Sequence, residues 1–405
     1  MLKKKEEQTT GKNIGKNMCK IEQKLQRKHL IALSFFLPLL VMTGCCIVFG
    51  VQPFGDNSLL IIDGLHQYMP FYSVLYDKLK GGEPLFYSFR SGLGINFLSL
   101  FSYYLSSPFN LLILFFKKSQ LNMAVSMIIV LKIACSGMTA GIYFSSKSKK
   151  QGFSIVMISM AYALSSYMVG YCWNVMWLDA IMIFPIIMMG LERLIEKKDG
   201  RLYCIALFYA LYCNYYIAFM ICIFAVIWYL LYSFKSIKQF FFRGIAFAFY
   251  SFLAAGMAAI LLIPAYMGIK QTASGETMQL PEHSFLTSAA DLLNRQFALW
   301  SPISHDNFDG NANLYIGIFS VLAVGLYVLN GEIKVSEKIK KVLLIGLFYL
   351  SFSEMILNFI WHGFHDQYGI PNRFSFLLGF VLLYMLWEVF EHLEGVKGWH
   401  AAFAC

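Results

Sequence analysis

The feature that most constrains this chain is a repeated one: long apolar runs, all but one of them uncharged, separated by short clusters of lysine and arginine. The first run, Leu30 to Val51, lasts about 22 residues, enough at about 1.5 Å of rise per residue to cross a hydrocarbon core of about 30 Å. Others are Leu121 to Ser146, Gly152 to Tyr171, Ala180 to Leu191, Leu202 to Phe234, Gly244 to Ile263, Leu314 to Asn330, Val342 to Ser353 and Phe374 to Trp387. Backbone in lipid must satisfy its own polar groups, so such runs predict helices and an all-α polytopic membrane protein with the lipid bilayer as its surroundings. Hydrophobic residues make up 58% of the 405 and charged ones only 14%, which excludes an ordinary soluble domain.

Loop charge sets the orientation. Residues 1–28 are polar and lysine-rich, with too little apolar content to bury a core, and read as a disordered basic cytoplasmic tail. The first run has no small-residue cleavage site behind it, so it reads as a retained signal anchor with the N-terminus cytoplasmic. As one helix, Leu202 to Phe234 would be about 50 Å long, which predicts a reversal at Asn214-Tyr215-Tyr216. That reversal brings Arg193/Lys197/Lys198/Arg201, Lys235/Lys238/Arg243 and Lys334/Lys338/Lys340/Lys341 to the cytoplasmic side. About ten crossings then fill residues 29–392, and residues 393–405 form a short cytoplasmic end. The formal +10 charge follows from these clusters, so nucleic acid is not an expected partner. Cys45, Cys46, Cys135, Cys204, Cys213 and Cys222 lie within apolar runs, and no CxxC pair occurs, which suggests small packing residues.

The outer side receives residues 52–120, Cys172 to Asp179, the Asn214 turn, residues 264–313 and Trp361 to Asn372. Within the first, Phe97 to Phe116 is interrupted by Ser106, Ser107, Pro108 and Asn110 and reads as amphipathic helices on the membrane surface. The same loop carries Asp56, Asp63, His66 and Arg90. Ionisable groups kept beside hydrocarbon are costly and mark a candidate site. Asp56 and Asp63 are candidate general bases or cation ligands, set against solvated loop acids. Lys132, midway along a predicted crossing, needs an anion: a carboxylate on a neighbouring helix or a ligand phosphate.

The stretch GYCWNVMWLD offers Trp173 and Trp177 as interfacial anchors or sugar-stacking rings, Asn174 as a polar contact, and Asp179 as a cap on the next helix. Asn214 and Tyr215 are further candidate substrate contacts at an outer turn. In WHGFHDQYGIPNRFSF, His362, His365 and Asp366 lack a third histidine and form a weak metal signal. Arg373, behind a proline and at a helix start, suits a phosphate or a carbonyl-bonding turn. His305, Asp306 and Asp309 read as a polar rim.

The phrases GDNSLLIIDGLHQY, FYSFRSGLGINF, YLSSPFNLLIL, GYCWNVMWLDA and WHGFHDQYGIPNRFSF, in that order, resemble the YfhO family of bacterial membrane proteins. That family is similar to the GT-C membrane glycosyltransferases, and the resemblance implies transfer of a sugar from a polyprenyl-phosphate-linked donor to a hydroxyl of a cell-envelope polymer of teichoic acid type. It also implies a long first extracytoplasmic loop whose catalytic aspartate corresponds to Asp63, with Asp56 second. Arg373, with Lys132 or Arg90, is then the expected neutraliser of the departing lipid phosphate. Trp173, Trp177 and Asp179 would shape the sugar site. No cofactor is required by the motifs, and a divalent cation is left open because GT-C enzymes differ. Family members are typically longer, so the resemblance implies a chain that stops short of the family length, and Arg90 stands where relatives often carry a small polar residue. The rival is a polytopic transporter or lipid flippase for an envelope precursor; it predicts polar groups on both faces and at mid-depth, whereas here they crowd one face.

Overall fold

The computed structural model describes residues 26–272, 280–304, 310–365, 369–396 and 400. The basic tail up to residue 25, the candidates His305, Asp306, Asp309 and Asp366, and most of the C-terminal segment 393–405 lie outside the described residues.

The chain is helical almost throughout, in the order α1 (Arg27–Val48), α2 (Met69–Gly81), α3 (Phe97–Tyr104), α4 (Leu121–Lys147), α5 (Phe153–Ala163), α6 (Ser166–Gly170), α7 (Leu178–Lys197), α8 (Arg201–Cys213), α9 (Tyr215–Leu231), α10 (Ile237–Ile269), α11 (Ala289–Asn294), α12 (Ile318–Leu329), α13 (Val335–Ser353), α14 (Met355–Trp361) and α15 (Ser375–Glu391). A two-residue antiparallel ladder, Tyr87–Ser88 against Ile95–Asn96, closes the turn between α2 and α3. Among the described residues four stretches are long and apolar enough to cross a membrane: Arg27–Val48, Lys118–Lys147, Phe153–Gly170 and Ile237–Ile269. α3 and the 3-10 turn Pro108–Phe115, bent by 100°, make a fifth if counted as one broken span. Three of the other runs form shorter apolar helices, Arg201–Cys213, Tyr215–Leu231 and Ile318–Leu329. At 1.5 Å per residue α8 reaches only about 20 Å, less than a full hydrocarbon core.

α4 is the central helix, packed against α1, α5 and α7. Small residues bring α1 and α4 close, and a Cβ on Gly137 would collide with the Ser34 carbonyl. Such close approach is how helices associate in lipid, where no hydrophobic force separates core from surroundings. α10 lies at the edge, with Phe249, Phe252, Ile260 and Ile263 exposed, as a lipid-facing helix requires.

The expected reversal at Asn214 is present. Its extended backbone separates α8 from α9, and its side chain caps α9 by accepting from the Ile217 amide at 2.9 Å. Arg201, at the start of α8, pairs with Asp199, and Tyr232, just past α9, donates to Glu196 at 2.7 Å, so both helices start and finish beside the end of α7. Lys147–Glu192 (2.7 Å), Lys340–Ser233 (2.5 Å) and Trp387–Ser148 (2.7 Å) gather at that same end, the one that carries the lysine clusters.

The stretch Phe97 to Phe116 differs from the surface helices expected of it. Ser106, Ser107 and Asn110 are buried, bonded to the Cys213 carbonyl (3.0 Å), Asp179 (2.8 Å) and Tyr72 (2.9 Å) respectively. The polar residues that interrupt the apolar run face the bundle instead of water, because buried partners wait for each of them.

Candidate functional site

At the end opposite the lysine clusters, loops and helix starts converge on a cluster of rings. Tyr68 stacks on Trp173 at 5.9 Å between centroids and donates to Asn174 Oδ1 at 3.0 Å. Trp173 Nε1 donates to the Ser304 carbonyl at 2.7 Å, and Trp177 Nε1 reaches the Tyr103 hydroxyl at 3.5 Å. Both tryptophans are 2% exposed, so they are walls of the cluster and not membrane anchors. Tyr103 packs edge-on against Tyr104 (4.6 Å) and Tyr215 (5.6 Å), while Asn214 Nδ2 donates to its carbonyl at 3.2 Å. The loop Trp361 to Asn372 adds His365, stacked on Tyr216 at 5.7 Å.

Arg373 sits among these rings. Its guanidinium lies 5.4 Å from the centre of Trp177 and 5.3 Å from that of Tyr216, and it donates from Nε to the Ile370 carbonyl at 2.9 Å and from Nη1 to the Tyr216 hydroxyl at 3.3 Å. Its own carbonyl accepts from Tyr167 at 2.6 Å. The positive charge is thus held by ring faces as well as by the expected turn carbonyl.

Asp63 enters from the other side. It is exposed and precedes a single π-helical turn, Gly64–Tyr68, that leads straight into α2. Ile62, just before it, is held at φ 48°, an unfavourable conformation for a β-branched residue. A π turn and a strained residue beside one carboxylate are features that cluster at functional sites. Tyr68, the last residue of the turn, feels both charges: burial, then Tyr103, Tyr104 and the Asp63 carboxylate hold its hydroxyl well above the ordinary value, while Arg373 pulls it down. Tyr104 is likewise within range of both charges. Asp56 and His66 are exposed nearby in sequence.

Lys132 and Asp179 lie within the bundle. They form an ion pair of 2.6 Å with both side chains at 0% exposure. Lys132 also donates to the Val175 carbonyl at 3.0 Å, and Asp179 accepts from Ser107 (2.8 Å) and Tyr209 (2.9 Å). This is the carboxylate partner weighed for Lys132, and Asp179 serves it instead of capping α7, whose N-cap is Trp177. The pair fixes the Trp173-to-Trp177 turn from behind.

Arg90, 51% exposed, is engaged by Asp77 (2.7 Å) and Glu83 (3.4 Å), on and just after α2. His362 is fully buried; its Nδ1 bonds the Asn358 carbonyl at 2.7 Å, so that nitrogen carries the proton, and Nε2 has no partner among the described residues. Burial and then Arg373 hold this imidazole well below its ordinary value, in the neutral form. Among the described residues no group of three His, Cys, Asp or Glu side chains is placed to hold a metal. Sequence reasoning passed over Tyr68, Tyr103, Tyr104 and Tyr216. The signal for three of them was the tyrosine doublets Tyr103-Tyr104 and Tyr215-Tyr216, each beside a helix break.

Fold and site together define a polytopic helical membrane protein with its aromatic and ionisable candidate residues gathered at one end of the bundle. The chain belongs to the YfhO family: the profile described as bacterial membrane protein YfhO matches residues 34–405. No curated protein and no solved structure matches it.

Proposed function

We propose that this protein is a GT-C-like glycosyltransferase with about ten crossings, moving a sugar from a polyprenyl-phosphate-linked donor to a hydroxyl of a cell-envelope polymer on the outer face. The observation that carries this reading is the ring cluster that holds the Arg373 guanidinium 5.4 Å from Trp177 and 5.3 Å from Tyr216, with Tyr68 stacked on Trp173 and joined by one π-helical turn to the exposed Asp63. In the reaction the acceptor oxygen bonds to the sugar's anomeric carbon, its proton passes to Asp63, and the bond to the donor phosphate breaks with its electrons leaving on the phosphate. A general base of this kind contributes roughly 10²–10⁴-fold. Arg373 meets the charge developing on the phosphate, and fixed charges aimed at such a position are usually the largest contribution to catalysis. Tyr68, Tyr104, Trp173 and Trp177 offer ring faces to the apolar side of a sugar. Asn174 Nδ2 and His362 Nε2, buried without partners among the described residues, are a donor and an acceptor that would suit sugar hydroxyls.

The test is rescue of envelope-polymer glycosylation in a strain lacking the gene, using wild-type protein and the Asp63→Asn variant. Asp63→Asn is expected to insert normally and to restore nothing, and Asp56→Asn to restore part. Full rescue by Asp63→Asn would overturn the assignment of the base. A wild-type chain that exports a lipid precursor without glycosylating anything would instead identify a flippase.

A further inference from the structure

The phrase FYSFRSGLGINF, whose side chains take no part in the ring cluster, folds into the hairpin between α2 and α3. Its turn is made by Gly92 and Gly94, both at positive φ (59° and 122°), and the Tyr87 ring lies against Gly94 where a Cβ would stand. Charge braces the hairpin on α2. Lys78, 4% exposed, donates to the Pro84 carbonyl at 2.8 Å and to the Tyr87 carbonyl at 2.9 Å, while Arg90 turns back from the tip to Asp77 and Glu83. What the brace leaves uncovered is apolar: Phe86 is 72% and Phe89 78% exposed, Leu93 fully so, and Tyr87 packs edge-on to Phe89 at 4.8 Å. Large apolar side chains held out together on an ordered turn mark a surface that something covers.

α10 gives the depth of this surface. Near the start of that helix the Arg243 guanidinium donates to the Ile195 carbonyl at 2.8 Å, at the end that carries the lysine clusters. Pro264 stands about 30 Å further along the same helix at 1.5 Å per residue, the thickness of a hydrocarbon core. Ser99 Oγ, in the first turn of α3, donates to the Pro264 carbonyl at 2.9 Å, and Gly268 comes so near that a Cβ on it would collide with the same hydroxyl. The Phe97 amide, two residues before Ser99, bonds the Phe86 carbonyl at 3.0 Å. The root of the hairpin therefore lies at the far boundary of the hydrocarbon, level with Ile260 (71% exposed) and Ile263 (58%) on the lipid-facing side of α10, and its apolar tip continues that surface. Between Pro84 and Asn96 the one charged residue is Arg90, and Asp77 and Glu83 neutralise it, so the tip takes no unpaired charge into lipid.

We propose that this hairpin is a membrane anchor: Phe86, Phe89 and Leu93 insert among the acyl chains of the leaflet at the ring-cluster end, and the Arg90–Asp77–Lys118 group stays at headgroup level. The partner is the lipid surface itself, of whatever headgroup. Lys78 and Arg90 tie the hairpin to α2, and α2 follows directly on the π turn that Asp63 precedes, so the anchor fixes the height of that turn against the membrane. Arg90 is then a brace of the anchor and not a phosphate ligand. The anchor does not depend on what is transferred beside Asp63.

The test uses the full chain in phosphatidylcholine nanodiscs, with the photoreactive residue p-benzoylphenylalanine placed at Phe89, at Leu93 or, as an aqueous control, at Glu282, which is exposed in the loop after α10. After irradiation, phosphatidylcholine adducts read by peptide mass spectrometry are expected at Phe89 and Leu93 and not at Glu282. Phe89→Ser with Leu93→Ser takes two apolar side chains off the anchor and, with the probe at Phe86, is expected to cut the lipid adduct by about tenfold. All three hairpin positions are exposed, so these changes leave the fold intact, as an unchanged unfolding temperature will show. Adducts to a second copy of the chain in place of lipid, adducts no more frequent than at Glu282, or a Phe86 adduct untouched by the serine pair would each overturn the anchor.

Discussion

Lys132 Nζ lies 2.6 Å from Asp179 Oδ2, and neither side chain reaches solvent. The cation comes from the middle of α4 and the anion from the first turn of α7, and their remaining bonds reach the Val175 carbonyl, Ser107 and Tyr209. One pair thus joins α4, α7, α8, the Pro108–Phe115 turn and the tryptophan turn that walls the candidate site. A buried pair adds little net stability over an apolar replacement, yet removing one partner leaves a charge stranded.

Asp179→Asn is therefore expected to destabilise the protein by about 3–5 kcal/mol, because the Lys132 ammonium keeps its burial and loses its counter-charge. The double variant Lys132→Met with Asp179→Leu strands no charge and is expected to recover most of that loss. Thermal unfolding in detergent measures both. An Asp179→Asn protein as stable as wild type would remove the pair's structural role.

His362 makes stability depend on pH in a known direction. Its pKa is depressed in the folded protein by burial and then by Arg373, while the unfolded chain binds a proton near pH 6.5. Below that pH the unfolded state takes up a proton that the folded state refuses, so folding stability is present above about pH 6.5 and falls as pH drops, by at most about 1.4 kcal/mol per pH unit from this group. His362→Met loses the bond to Asn358 and is expected to be less stable at neutral pH, with a flatter decline towards pH 5. Parallel profiles for the two proteins would exclude His362 as the titrating group.

The separation of the lysine clusters from the Asn214 turn was legible because it depends on charge counted along the sequence. Lysine clusters and the over-long run Leu202 to Phe234 were enough to place Asn214 at a reversal on the side away from Lys340 and Arg201. Asp63 and Arg373 were legible as ionisable groups in loops between apolar runs. An ion pair for Lys132 was weighed without Asp179 being named as its partner, since residues 47 apart meet only through helix packing. Trp173 and Trp177 show the same limit: tryptophan in an outer turn has the same composition whether its ring faces lipid or a neighbouring tyrosine. The tyrosine doublets were missed because tyrosine is common at membrane boundaries and only three-dimensional convergence distinguishes these four.

Single-cysteine variants in intact cells test the arrangement of the crossings. Residues next to Asp63, Asn214 and Arg373 are expected to react with an impermeant thiol reagent from outside, and residues at Lys149 and Lys338 only after permeabilisation. Labelling near Arg373 only from the cytoplasm would contradict the reversal at Asn214 and separate Arg373 from Asp63.

Arg373 is the residue at which structural and binding roles make different demands. Its Nε is committed to the Ile370 carbonyl and its Nη1 to Tyr216, while the guanidinium plane rests against Trp177 and Tyr216. A fork of this kind can meet a phosphate in two places, whereas lysine brings only the charge. If Arg373 binds the donor's phosphate, Arg373→Lys retains weakened donor binding and partial transfer, and Arg373→Gln loses most of both. A charge-assisted hydrogen bond is worth about 1.5–3 kcal/mol, so the glutamine variant is expected to lose about tenfold or more in donor affinity. Both variants also give up the turn bond and ring contacts, which lowers stability and makes raw activity a poor guide. Affinity for a polyprenyl-phosphate sugar, normalised to the folded fraction, separates the two roles. Unchanged affinity per folded molecule of Arg373→Gln would leave the guanidinium as a structural brace for the loop that carries His362 and His365.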